Sequence, residues 1–402
     1  MKNIIISIIV IITSSLKAQQ NNSVKVEIKN IGEQINSPYL DYSPLIAADG
    51  SMMVFTSARP LTEGIMENLR DHIYHSNFDL NKKVWLDGIP FSEKINGTGK
   101  NTHATALSND GQRMLICRAD RKNSGDIYET HVLGWEWTEP ISLGEPINSV
   151  YNESSASITP DGNTIFFVSN RPGGLGGDDI WYCTKKSDGK WTEAANLGAP
   201  VNSKDDEESV FFHANGKTLF FSSNGHKSLG GLDIFMTEFD RTSRSWAEPK
   251  NIGTPINTGG DDINFVMEAN GKTGYYSTIR LGGLGEKDIY SVKFLEEIVK
   301  VDLTLLTGRV VNAKGNAVEA KIVVKNKSNG SIIGVFNSNI ATGKYLVSLP
   351  AGKNYEIEFT AEDYFEYKDS IEIKDKSGYM EVSKDVILTS KKVYSDPLKK
   401  GM

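Results

Sequence analysis

The chain has 402 residues, 39% hydrophobic and 24% charged, which is ordinary globular composition and length enough for more than one domain. Its formal net charge is −7, and between Gln19 and Val299 only 26 Lys and Arg stand against 38 Asp and Glu, a balance that repels nucleic acid and anionic lipid. Two cysteines, Cys117 and Cys183, are too few for a disulfide-built scaffold, and two buried thiols are expected.

In chain order, the first feature is Met1-Lys2-Asn3 followed by an apolar run from Ile4 to Ile12 and then Thr13 to Gln19. A short basic start, an apolar run and a small residue at the cut read as a secretory signal over residues 1–18. The run is about half the roughly 20 residues of a membrane-spanning helix. The expected protein is therefore exported to the periplasm, the outer-membrane surface or the exterior. No later stretch is apolar enough to span a bilayer, and the absence of a cysteine near the cut gives no site for an N-terminal lipid.

From residue 24 to 296 one unit recurs five times. An apolar-Asn pair appears at Ile35-Asn36, Ile95-Asn96, Ile147-Asn148, Val201-Asn202 and Ile256-Asn257. A hairpin pair follows each: Asp49-Gly50, Asp110-Gly111, Asp161-Gly162, Asn215-Gly216 and Asn270-Gly271. Next comes an Asp before an apolar-aromatic pair, as in Asp179-Ile180-Trp181, and Trp85, Trp137, Trp191 and Trp246 close the first four copies. In copy three, Ser155 to Thr159, Thr164 to Ser169, Asp179 to Thr184 and a segment around Trp191 read as four antiparallel strands.

Self-similarity of this kind marks a repeat fold, and four strands per unit is the pattern of propeller blades. The predicted fold class is thus all-β, with a five-bladed β-propeller; the alternative is a sixth, degenerate blade, for which no residues are left over. The fifth copy lacks a closing strand, and Val24 to Ile31 is expected to supply it and close the ring, leaving no bare edge.

The unit from Ile158 to Arg171, completed by Asp179-Ile180-Trp181, resembles the TolB-type (WD40-like) propeller repeat, most strongly in copies three to five. Beyond it, Thr307-Gly308-Arg309-Val310-Val311, Thr342-Gly343-Lys344-Tyr345 and Leu349-Pro350-Ala351-Gly352-Lys353 resemble a carboxypeptidase regulatory-like domain, a small transthyretin-like β-sandwich over 301–390. That order of domains resembles Bacteroidota envelope proteins of the PorE-like, OmpA-containing type associated with type IX secretion. In that family an OmpA-like domain follows, where this chain has a basic tail at 391–402, so the resemblance does not extend to peptidoglycan anchoring. Read from residues alone, Thr304 to Val311, Lys321 to Lys325, Ile332 to Phe336, Lys344 to Leu349 and Tyr355 to Thr360 are short strands separated by turns. From Lys300 to Ser390 the chain is electrically balanced, with 12 basic and 12 acidic residues, as suits a spacer or docking module.

No nucleophile elbow or further hydrolase domain is present in the sequence, so binding rather than catalysis is expected, with a propeller-face hydrolase as the alternative. No cofactor and no catalytic residue is assigned. The candidate binding residues lie in loops that open on one face: Arg59, Glu153, Asn170, Arg171, Asp206, Glu207, Asn224, Asp262 and Arg280. The competing reading is that residues recurring in every copy hold the blades together, and that a site lies where copies differ. Those departures are the carboxylates of Asp205 to Glu208, the glycine-rich stretches Gly173 to Gly177 and Gly282 to Gly285, and the long loop from Pro60 to Arg70. Asp205 to Glu208 supply oxygen ligands of the kind Ca²⁺ takes, but without a fixing loop pattern they read as a solvated acidic loop, and no metal is assigned. The expected partner is an envelope protein, with a glycan or peptidoglycan fragment as the alternative, and not a nucleic acid.

Overall fold

The computed structural model describes residues 23–61, 70–97, 99–121 and 124–391. The expected signal, the basic tail beyond 391, most of the long loop of copy one and residues 122–123 lie outside the described residues. The described chain is all-β, its one helix being the single turn Glu93–Asn96. No helix among the described residues is long and apolar enough to cross a membrane.

Each sequence copy forms one antiparallel sheet. The innermost strands are Asp41–Ile46, Asn101–Leu107, Glu153–Ile158, Glu207–Phe212 and Asp262–Met267. Each pairs with the strand after its Asp-Gly or Asn-Gly turn, and that strand with a third, such as Thr164–Ser169 with Asp179–Thr184. The five inner strands adjoin in a closed cycle, the first touching the second and the fifth, which makes the arrangement a β-propeller around a central channel. Val26–Asn30 pairs antiparallel with Asp288–Phe294, from Val26 opposite Phe294 to Asn30 opposite Tyr290. The N-terminal segment thus completes the fifth sheet, as its extended pattern suggested. In the third sheet the outer strand is Ala195–Asn196 and not the segment around Trp191, which forms only an isolated bridge to Lys185.

Neighbouring sheets are joined by two devices. Aromatic rings interleave: Phe166 stacks on Phe212 at 5.2 Å, Phe220 packs on Phe265 at 4.7 Å and Trp85 meets Tyr275 edge-on at 6.0 Å. Such pairs are worth about 0.5–1.5 kcal/mol beyond the area they bury. The second device explains the recurring asparagine. Asn202 Oδ1 accepts the Ile180 N–H at 3.0 Å while its Nδ2 donates to the Ile180 carbonyl at 2.9 Å. Asn148 does the same to Ile127, Asn257 to Ile234 and Asn96 to Ile73. Asn36 reaches Ile289, 253 residues away, and closes the ring. All five asparagines are buried. Each sits in the linker to one sheet and mimics a strand residue beside the third strand of the sheet before it.

The remaining chain forms two further four-stranded sheets. Leu303–Asn312 is flanked by antiparallel Lys344–Pro350 and by parallel Tyr379–Ser383 and Val386–Leu388; the other sheet runs Ile332–Asn337, Lys321–Asn326, Lys353–Thr360, Tyr367–Ile373. Leu306, Val310, Ile322, Val324, Val347, Tyr355 and Phe359 fill the space between them.

This unit docks on the hairpin-turn end of the propeller. Val299, Val301, Leu303, Leu305 and Leu346 share one core with Ala48, Ala214, Met267 and Ala269. Asn109 Nδ2 donates to Ser348 Oγ at 2.9 Å and Asn339 Nδ2 to the Gly134 carbonyl at 3.0 Å.

The latch makes a quantitative prediction. Asn202→Ala leaves a buried N–H and a buried C=O of Ile180 unpaired, at about 1–3 kcal/mol each, so equilibrium urea unfolding of the variant is expected to show a loss of roughly 3 kcal/mol. Asn224→Ala, at an exposed position, is expected to lose less than about 1 kcal/mol.

Candidate functional site

The face opposite the docked unit is built by the linkers and the loops between second and third strands. An acid at the start of the inner strand organises each linker. Glu153, fully buried, accepts from the Ser149 N–H and Oγ, from Ser169 Oγ and from Arg171 at 2.9 Å. Glu207 repeats this with Ser203 and Ser223, Asp262 with Thr258, and Asp41 with Ser37 and Arg59. The second sheet departs from the pattern, with Thr102 in the acid's place donating to the Asn96 carbonyl.

The arginines finish the same clamp. Arg171 donates to the carbonyls of Pro146 and Ile147 and lies 4.8 Å over the Phe167 ring. Arg280 donates to Pro255 and Ile256, and Arg59 to Ile35. Arg118 substitutes from a strand position, reaching Lys94 and Ile95. In the fourth sheet His226 takes the role, with Nε2 2.8 Å from the Val201 carbonyl and 3.5 Å from Glu207.

The other three sequence candidates are nearer solvent but also engaged. Asn170 and Asn224, both exposed, accept the N–H groups of Asn152 and Asp206, and Asp206 accepts the Asp178 N–H across the sheet boundary at 3.1 Å. The nine residues therefore share one face, with six of them in the clamps and three in its loop network.

The glycine-rich stretches have a packing reason. A Cβ at Gly176 would stand 1.9 Å from the Asp205 carbonyl, and one at Gly285 2.2 Å from that of Tyr39. These loops press on the next linker, and only glycine fits.

What differs between copies is the residue after the acid: Tyr42, His103, Ser154, Glu208 and Ile263. All five line a cavity of about 200 Å³ in the channel. They are partly exposed, whereas Ala48, Ala214 and Ala269 at its other end are buried beneath the docked unit. The cavity is thus blind, with its mouth on the acidic face. At this mouth three inner strands bulge and hold non-glycine residues in the left-handed region, Ser43 (φ 49), Ser209 (φ 54) and Asn264 (φ 57). Such residues typically cost about 1–3 kcal/mol and cluster at functional sites. Comparing the copies at the position after the acid would have revealed this set; the sequence reading stopped one residue short.

Asp205 to Glu208 do not converge. Strand alternation turns Glu207 into the clamp and Glu208 to the channel. Burial, then Asp178, Asp206 and Asp261, hold the Glu208 carboxyl above its usual range, with Lys287 opposing. Among the described residues no group of His, Cys, Asp and Glu is arranged to hold a metal ion. On the same face the glycine-rich loops present Leu175, Leu229 and Leu284, 52%, 47% and 48% exposed, with Leu281 and Ile279 also in solvent.

No family model and no curated protein matches the chain. Among solved structures it is similar to a putative TolB from Agrobacterium tumefaciens, with 12% identity over 81% of this chain and 98% of that one and a TM-score of 0.39. It is also similar to TolB from Acinetobacter baumannii, with 17% identity over 66% and 57% and a TM-score of 0.39. An α-L-arabinofuranosidase from Lactobacillus brevis matches at 14% identity over 66% and 92%, with a TM-score of 0.42.

The His226 clamp predicts a pH dependence. Burial alone would lower the ring's pKa, but Glu207 and the Val201 carbonyl raise it above 6.5. A folded-state pKa raised in this way gives stability that is full below about pH 6.5 and lost as pH rises through the raised value. The stability difference between the protein and His226→Gln is therefore expected to shrink on going from pH 6 to pH 9, measured by urea unfolding.

Proposed function

We propose that the protein is an exported cell-envelope binding protein whose five-bladed propeller docks a protein partner on its acidic face, with the C-terminal β-sandwich closing the far end of the channel. The observation that carries this reading is that Leu175, Leu229 and Leu284 are exposed on the same face as a channel mouth whose five residues all differ. Exposed apolar side chains that share a face with a polar pocket favour a protein surface. The recurring residues are committed to the clamps and latches and leave the mouth as the variable element.

Resemblance of the repeat and the following sandwich to PorE-like envelope proteins supports a role at the outer membrane or in type IX secretion assembly. On this reading the nine clamp and loop residues shape the face, and the mouth residues and exposed leucines touch the partner.

The test uses residues 19–402 as bait in an envelope extract from the source cell. A specific protein is expected to be recovered, and to be lost with Leu229→Asp or Ile263→Arg but kept with Lys190→Glu in the exposed turn after the third strand of copy three. Recovery of no protein, or the same protein by all three variants, contradicts the reading.

A further inference from the structure

The blind channel is zoned. Its depth is apolar, with Leu45, Ala106, Phe211, Phe265 and Met267 among the lining residues, and its mouth carries Glu208 beside Asp178, Asp206 and Asp261. Two polar atoms in the wall have no partner. Thr105 is 8% exposed and its Oγ1 is buried and unbonded, as is Asn264 Oδ1. Buried polar groups of this kind are ordinarily satisfied; both of these lie beneath the cavity wall, so a small side-chain rotation has to uncover them before an occupant can bond them. Asp178 Oδ1, in the carboxylate group by the mouth, is likewise unbonded.

Resting on the proposed protein-binding role, we infer that the partner enters this channel with an apolar side chain in the throat and an adjacent lysine or arginine against Glu208. A cavity of about 200 Å³ is below the roughly 300–1,000 Å³ of typical small-molecule pockets, which suits one inserted side chain. The apolar depth takes a leucine-sized group. The peptide N–H groups beside it meet Asn264 Oδ1 and Thr105 Oγ1, both of which accept, once those side chains turn toward the channel. Asp178, Asp206 and Asp261 act on Glu208 at the mouth against the single cation Lys287, and a basic residue supplies further counter-charge. The other ionisable groups of the lining are not among those that act on Glu208: against burial, which lowers it, Cys117 raises the His103 ring to about 9 and its Nε2–H is given to the Ser154 carbonyl at 2.9 Å, and burial and Asp71 keep the Tyr42 phenol protonated.

The probes are blocked tetrapeptides Gly-Leu-Lys-Gly, Gly-Leu-Glu-Gly and Gly-Ser-Lys-Gly, with chitotetraose as the glycan, titrated against residues 19–402 by NMR or calorimetry. Gly-Leu-Lys-Gly is expected to bind at least about tenfold more tightly than either altered peptide, and Glu208→Gln is expected to remove about tenfold of that affinity with an unfolding midpoint no lower than the parent's, since it removes a carboxylate whose pKa burial and its acidic neighbours raise. Equal binding of the Leu-Glu peptide, unchanged affinity in Glu208→Gln, or preferential binding of chitotetraose overturns the inference. The same Glu208→Gln bait in the envelope extract separates the two ideas. If it captures the protein that the parent captures, the insertion is wrong and the docking role stands; if the parent captures nothing, the docking role itself fails.

Discussion

A linker asparagine that poses as a strand residue is the constraint on which the rest of the molecule depends. Each of the five reaches back to the third strand of the preceding sheet and pairs with both the N–H and the carbonyl of one residue. The requirement is stringent, because a buried amide group leaves no water to substitute for a lost partner. It fixes where the linker runs, and the acid five residues on then folds the linker against its own sheet in four of the five copies. Sheet-to-sheet spacing is thereby set by side chains rather than by contact of apolar faces alone. The Asn36 to Ile289 pair applies the same rule across 253 residues of chain and turns a row of sheets into a ring.

Once linker, acid and clamp are fixed, the next residue has nowhere to point but the channel. That position is free of architectural duty, and the five copies fill it with a phenol, an imidazole, a hydroxyl, a carboxylate and an aliphatic group. Closure at the other end by Leu346 and its neighbours makes the variation functional on one face only. The C-terminal unit is thus part of the channel's construction as well as a second module, since removing it would expose Ala48, Ala214 and Ala269.

Much of this architecture was legible in the sequence. Period, hairpin turns and the missing fifth closing strand gave the ring and its closure, because each rests on local backbone chemistry that recurs in every copy. The asparagine was visible as a marker but not as a latch, since its partner lies in the preceding copy. Trp191 misled because its three counterparts lie in outer strands while it does not. In the C-terminal unit, Tyr367–Ile373, Tyr379–Ser383 and Val386–Leu388 went unread: the first alternates half-buried and exposed positions with charges between, and the other two are short. The docking of that unit was also unreadable, for Leu346 and Val301 look like ordinary core residues until the ring supplies Ala48 and Ala214 to meet them. Arginine and acid recurrence pointed to a structural role, but the pairs tie each linker to its own sheet and do not hold one blade to the next; the rule that copies differ at a site leads to the mouth when applied one position further on.

The central claim is that recurring residues build the ring while the position after the acid meets the partner. Its most direct measurement places a photo-crosslinking amino acid singly at Ser154, at Ile263 and at Asp161, the last in a hairpin turn at the opposite end of the third inner strand, and irradiates each protein in its own envelope extract. The account predicts one common adduct from Ser154 and Ile263 and none of it from Asp161. The same adduct from Asp161, with none from the mouth positions, would contradict it.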